Sequence, residues 1–145
     1  MSDIAPSLNL FVYGTLRHDP AHEMFQVLAA NAKLIGAATV AGRLYDLGEY
    51  PGLVLNPDGT DRVKGELYRL NEATAANTLS VLDDYEGIGP ADPPPHEYRR
   101  ALVTAYLADG RSMPSWAYIL DRPSDALPRI ISGDFSEWRS SRRGA

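Results

Sequence analysis

The chain has no cysteine. Disulfides, thiolate metal sites and cysteine nucleophiles are therefore excluded. Histidine is scarce, with three in 145 residues. His18 and His22 straddle Pro20 and His96 lies in a proline-rich stretch, so they read as surface or loop residues rather than metal ligands. No G-x-S-x-G is present for a serine nucleophile. Positive charge is also in deficit: 14 Lys and Arg stand against 19 Asp and Glu, a formal net charge of −5. A nucleic-acid partner would call for a basic footprint, and none is expected. Arg139, Arg142 and Arg143 form a basic cluster, but it is short and terminal and reads as a solvated tail. No stretch approaches the ~20 apolar residues of a membrane helix, and the opening MSDIAPSLN lacks a basic export signal. The expectation is a cytoplasmic protein with no membrane partner.

What remains is an ordinary globular composition, 44% hydrophobic and 23% charged, of a length that suits one core. A tail over 1–7, a domain over 8–138 and a basic tail over 139–145 are expected. Leu8 to Tyr13 reads as a buried strand. Residues 20 to 31 read as a short helix, and 32 to 48 as one or two bent strands with Gly36 and Gly42 at kinks or bulges. Strands are expected over Gly52–Leu55 and Val63–Leu70, with a turn at Asn56-Pro57-Asp58-Gly59 between them. The clearest helix follows, with Asn71 as N-cap and Gly87 as the residue that stops it. Four prolines in IGPADPPPHE, 88 to 97, force an irregular, semi-rigid loop. A hairpin turning near Asp109-Gly110 comes next, then a loop-rich end with a turn or short helix around Asp134 to Trp138. Consecutive strands with turn-type links predict an α+β domain: a curved, barrel-like, mostly antiparallel sheet with about two helices.

Three patterns bear on chemistry. On the second helix Ala75, Leu79 and Leu82 form one stripe whose next member is Glu86, while Asp83 lies at its edge and Asp84 faces away. A carboxylate ending an apolar face is partly desolvated and becomes a better base near neutral pH. The competing reading is that the helix has already ended and Glu86 is simply exposed. Second, the strand ends in Tyr-Gly-Thr-Leu-Arg. One glycine makes neither a P-loop nor a dinucleotide fingerprint. The turn could nonetheless aim successive N–H groups at a carboxylate, or it could be an ordinary turn. Third, there are eight tyrosines. Tyr13, Tyr45, Tyr50, Tyr68, Tyr98, Tyr106 and Tyr118 lie on or beside expected strands, where they pack the sheet or ring a polar pocket. Tyr118 is carried with Tyr13 as a candidate substrate contact.

The blocks FVYGTLR, YPGLV, GELYRL, LDDYEG, EYRRALV, WAYIL and ISGDF, in this order across residues 9 to 138, resemble the γ-glutamylcyclotransferase-like family in its short bacterial and plant-type branch. The resemblance implies a small barrel-like α+β domain. It assigns the hold on a γ-glutamyl group to Tyr13, Gly14, Thr15 and Leu16, and the acid/base role to Glu86. The implied reaction closes the γ-glutamyl group to 5-oxoproline and releases an amine, with a small-molecule substrate and no metal or organic cofactor. A binding module using the same pocket for a small carboxylate is the alternative. Two departures stand out: the long proline-rich insertion directly after Glu86, expected over or beside the pocket mouth, and GDFSEW where relatives more often have Gly-Asp-Trp.

Overall fold

A computed structural model describes residues 7–14, 23–48 and 50–143. The elements run β1 (Asn9–Val12), α1 (Glu23–Asn31), β2 (Ala32–Asp46), β3 (Pro51–Leu55), β4 (Arg62–Leu70), α2 (Ala75–Tyr85), β5 (Tyr98–Leu107), β6 (Ser112–Leu120), β7 (Arg129–Ile130) and α3 (Phe135–Arg143). The sheet closes on itself through β1-β4-β2-β3-β6 and back to β1, with β5 hairpinned onto β6 and β7 added to β2. Among the described residues six of the eight strand pairings are antiparallel; β1–β6 and β3–β6 are parallel. The expected curved sheet is therefore a mixed barrel.

Burial explains the strand patterns. All four residues of β1 are buried. Phe11 joins the barrel interior with Val40, Leu44, Leu53, Leu67, Ala105 and Ile119. Leu10 and Val12 point the other way, into a second core with Leu28 of α1 and Leu79 and Leu82 of α2. A strand covered on both faces reads as a continuous apolar run, which is how Leu8 to Tyr13 reads. β2 is a single long strand. Its pairing with β4 shifts register between Leu34 and Gly36, and Gly42 sits where it leaves β4 for β3.

Several local expectations are corrected. There are three helices rather than two among the described residues, because α3 continues through Arg143 into the segment expected as a tail. The Asp134 side chain accepts the Glu137 N–H at 3.1 Å and starts that helix. The turn at Asn56 to Gly59 forms, with the Gly59 N–H on the Asn56 carbonyl at 3.0 Å, but β3 and β4 do not pair with each other. Each instead ladders onto β2. The N-cap of α2 is Thr74, not Asn71. The Asn71 side chain accepts the Ala73 N–H at 3.1 Å, so it builds the turn before the helix. α1 is described from Glu23; Pro20, His18 and His22 lie outside the described residues. No helix among the described residues is long and apolar enough to cross a membrane.

Candidate active site

Glu86 is delivered by α2. Ala75, Leu79 and Leu82 are buried along one face, and helical geometry persists through Glu86, whose N–H bonds the Leu82 carbonyl at 2.9 Å. Gly87, with φ +79°, ends the helix in the left-handed region that glycine tolerates best. The stripe therefore reaches Glu86, and the reading that leaves it on the outer surface is set aside: the residue lines a cavity of about 520 Å³. β1 and the turn after it contribute Phe11, Val12, Tyr13 and Gly14, and the start of β3 contributes Tyr50 and Pro51. Tyr85 and Gly87 flank Glu86, Glu97 ends the proline-rich loop, and Tyr98, Tyr118 and Arg139 come from β5, β6 and α3.

The Glu86 carboxyl is pushed up to about 7, first by burial, then by the nearby charges of Asp83 and Glu97. It is thus poised between its acid and base forms at neutral pH. Asp83 is held differently. Arg100 grips it with two contacts, Nε to Oδ1 at 2.9 Å and Nη2 to Oδ2 at 3.2 Å, and the Tyr118 hydroxyl donates to Oδ1 at 2.7 Å. Strand register makes this possible: Arg100 and Tyr118 are directly opposite across β5 and β6. The Arg100 guanidinium also lies 4.5 Å from the centre of the Trp116 ring, which holds its fork in place.

The tyrosines divide into packing and lining. Tyr13, Tyr50, Tyr85, Tyr98 and Tyr118 line the cavity; Tyr45, Tyr68 and Tyr106 do not. The Tyr13 hydroxyl donates to the Tyr118 carbonyl and accepts the Leu53 N–H at 3.1 Å, so it ties β1 to β6 and β3. Tyr98 donates to the Pro51 carbonyl at 2.7 Å. Burial pushes both hydroxyls well above the usual tyrosine range, so they stay protonated. At the mouth, Tyr50 donates to Glu97 Oε1 at 2.8 Å and Arg122 meets Oε2 at 3.0 Å.

Gly14 faces Pro51. A β-carbon added at Gly14 would lie 3.0 Å from both Cδ and Cγ of that ring, tighter than ordinary contact, so a side chain here would press on the proline. Thr15 and Leu16 lie outside the described residues. The proline-rich loop stands beside the cavity. Its ends, Gly87 and Glu97, reach the lining, and its interior is tied by Gly89 N–H to Asp92 Oδ2 at 2.9 Å and by His96 to the Asp92 carbonyl at 3.0 Å. Sequence reasoning missed Glu97, Pro51 and Arg139, and the bracing of Asp83 by Arg100. A detectable signal existed for Arg100: it is two residues from Tyr98 and so shares its strand face.

Residues 10–138 match the family profile described as gamma-glutamyl cyclotransferase, AIG2-like. The chain belongs to the gamma-glutamylcyclotransferase family. It is 35% identical over 129 residues to the gamma-glutamylcyclotransferase family protein YtfP of Escherichia coli, covering 88% of this chain and 96% of that one. The solution structure of E. coli ytfP superposes with a TM-score of 0.59, covering 90% of this chain and 98% of that one. A further family relative, the gamma-L-glutamyl-butirosin B gamma-glutamyl cyclotransferase of Niallia circulans, is 32% identical over 135 residues, covering 92% of this chain and 77% of that one.

Proposed function

We propose that this protein is a γ-glutamyl cyclotransferase in activity as well as in family: it closes a γ-glutamyl group to 5-oxoproline and releases the amine. The observation that carries the reading is Glu86, a carboxyl pushed up to about 7 that lines the same cavity as the turn at Gly14. The N. circulans relative named as a cyclotransferase supports the chemistry.

In this reading Glu86, ionised, takes one proton from the substrate's α-ammonium. The freed amine attacks the γ-carbonyl carbon, and the new C–N bond closes a five-membered ring. Glu86 returns its proton to the departing nitrogen as the old C–N bond breaks, and the restored carboxylate passes the ring nitrogen's remaining surplus proton to the released amine, which leaves as an ammonium. Nucleophile and electrophile belong to one molecule, so the protein supplies a folded pose and a proton relay rather than a second reactant. One carboxyl suffices for both transfers when it titrates near working pH. The hold on the α-carboxylate is assigned to Gly14 and to the two residues that follow it in sequence, Thr15 and Leu16. Tyr13 and Tyr118 shape the pocket wall, their hydroxyls engaged with the backbone and with Asp83.

The test is a panel of γ-glutamyl dipeptides, γ-glutamyl amines and glutathione, with 5-oxoproline assayed directly. Product from any member supports the reading. Saturable binding across the panel without product makes the protein a binding module instead.

A further inference from the structure

The charged residues among the described cavity lining are Glu86, Glu97 and Arg139. Their charges are not equally satisfied. Glu97 is matched by Arg122 at 3.0 Å, and Asp83, behind Glu86, is matched by Arg100 at 2.9 Å. Arg139 meets no carboxylate among the described residues; its guanidinium rests over the Phe135 ring, 5.8 Å from the centroid. Phe135 is itself buried, and the neighbouring Trp138 indole donates to Asp46 Oδ2 at 3.0 Å. α3 is thus docked firmly enough to fix where Arg139 starts, while the guanidinium stays exposed at the rim. A planar cation beside a cavity, stacked on an aromatic ring and without an acidic partner, is organised to receive a carboxylate.

We propose that Arg139 is a specificity residue that binds a carboxylate on the departing half of the substrate, so that γ-glutamyl amino acids and peptides are preferred over γ-glutamyl amines that lack one. This rests on the cyclotransferase reading for the identity of the two halves. The assignment to the departing half follows from position. The reacting end must lie at Glu86 on the wall formed by α2, and the chain leaving it points outward to the rim where α3 places the arginine. Neither Arg100 nor Arg122 can take the role, because each already has a carboxylate.

The experiment compares γ-glutamylalanine with its C-terminal amide, which has the same departing nitrogen and no terminal carboxylate. Wild type, Arg139→Gln and Arg139→Lys are measured by 5-oxoproline release and, in parallel, by calorimetric binding. Wild type should favour the acid by about tenfold, the scale of one charge-assisted contact at an open site, mainly through KM. Arg139→Gln should erase that preference by weakening the acid alone, and Arg139→Lys should keep part of it. An equal loss on acid and amide overturns the proposal, because the arginine then serves the glutamyl half or the fold. No change on either also overturns it. The calorimetry separates this from the reaction itself: acid-over-amide binding that depends on Arg139, without 5-oxoproline, keeps the arginine's role and removes the cyclisation. Failure of wild type to bind either compound overturns both.

Discussion

Asp83 and Glu86 leave the same face of α2 one turn apart, and among the described residues only the first is closed by partners. Arg100 and Tyr118 occupy both oxygens of Asp83, whereas the Glu86 carboxyl opens on the cavity. One carboxylate is held by an arginine and a tyrosine hydroxyl, and its charge raises the other.

This arrangement predicts opposite effects from two variants. Asp83→Asn removes a negative neighbour, so the acid limb of the pH–activity curve should move to lower pH. Arg100→Gln leaves Asp83 uncompensated, so the limb should move to higher pH. Both variants should lose stability, on the order of 1–3 kcal/mol, through weakened charge-assisted hydrogen bonds. Shifts of the same sign in both would show that Asp83 does not act through its field.

Glu86→Gln should cut turnover by about 10²–10⁴ while leaving ligand binding measurable. It should also stabilise the protein at neutral pH. The folded carboxyl titrates at about 7, above its ordinary 4.5, so between those values the native state holds a proton that the unfolded chain has released. Wild-type stability therefore falls as pH rises through that window. The glutamine lacks this loss. Relative to wild type, the variant should gain about 1–3 kcal/mol in going from pH 4 to pH 8, read from denaturant melts at both values. A constant difference across pH would contradict the raised carboxyl.

Tyr13→Phe should damage the fold more than the chemistry. Removing the hydroxyl leaves the Leu53 N–H and the Tyr118 carbonyl without their bridge, a loss of about 1–3 kcal/mol. At a temperature where the variant stays folded, kcat should remain within about threefold of wild type, because the hydroxyl performs no proton transfer in the proposed reaction. A loss of kcat as large as that of Glu86→Gln, with stability intact, would move Tyr13 from the frame into the chemistry.

Gly14→Ala should push against Pro51, whose carbonyl holds the Tyr98 hydroxyl. Both melting temperature and kcat/KM should fall. Adding Pro51→Ala removes the ring atoms that the new methyl meets, so the double variant should recover more stability than the two single costs would sum to. Additive losses would show that the conflict lies elsewhere.

The legible parts of this molecule were those with local causes. The apolar run in β1 announces a strand covered on both sides, and the stripe Ala75, Leu79, Leu82 extends by simple period to Glu86. Asn71 carried the right residue type for a cap but spent its side chain on the Ala73 N–H, a competition that sequence alone leaves undecided. The turn at Asn56 to Gly59 was readable, yet the partner of the strands beside it was not, since β2 inserts between them. The Asp83 brace needs the register that sets Arg100 opposite Tyr118, and Arg139 needs α3 docked through Trp138 on Asp46. Those are long-range facts, and nothing in a window of ten residues encodes them.

The parallel step from β1 to β6 also sets the order in which the protein can come into being. Leu10 meets Trp116 across more than a hundred positions of chain, whereas the β5–β6 hairpin closes over a few. Loop-closure entropy makes the distant contact the late one. α2, carrying Glu86, can exist before that moment, but Tyr118 of β6 joins Tyr13 in the cavity wall only when β1 and β6 meet. Recovery of ligand capture during refolding should therefore trail the helical signal, and the pocket is a feature of the finished barrel alone.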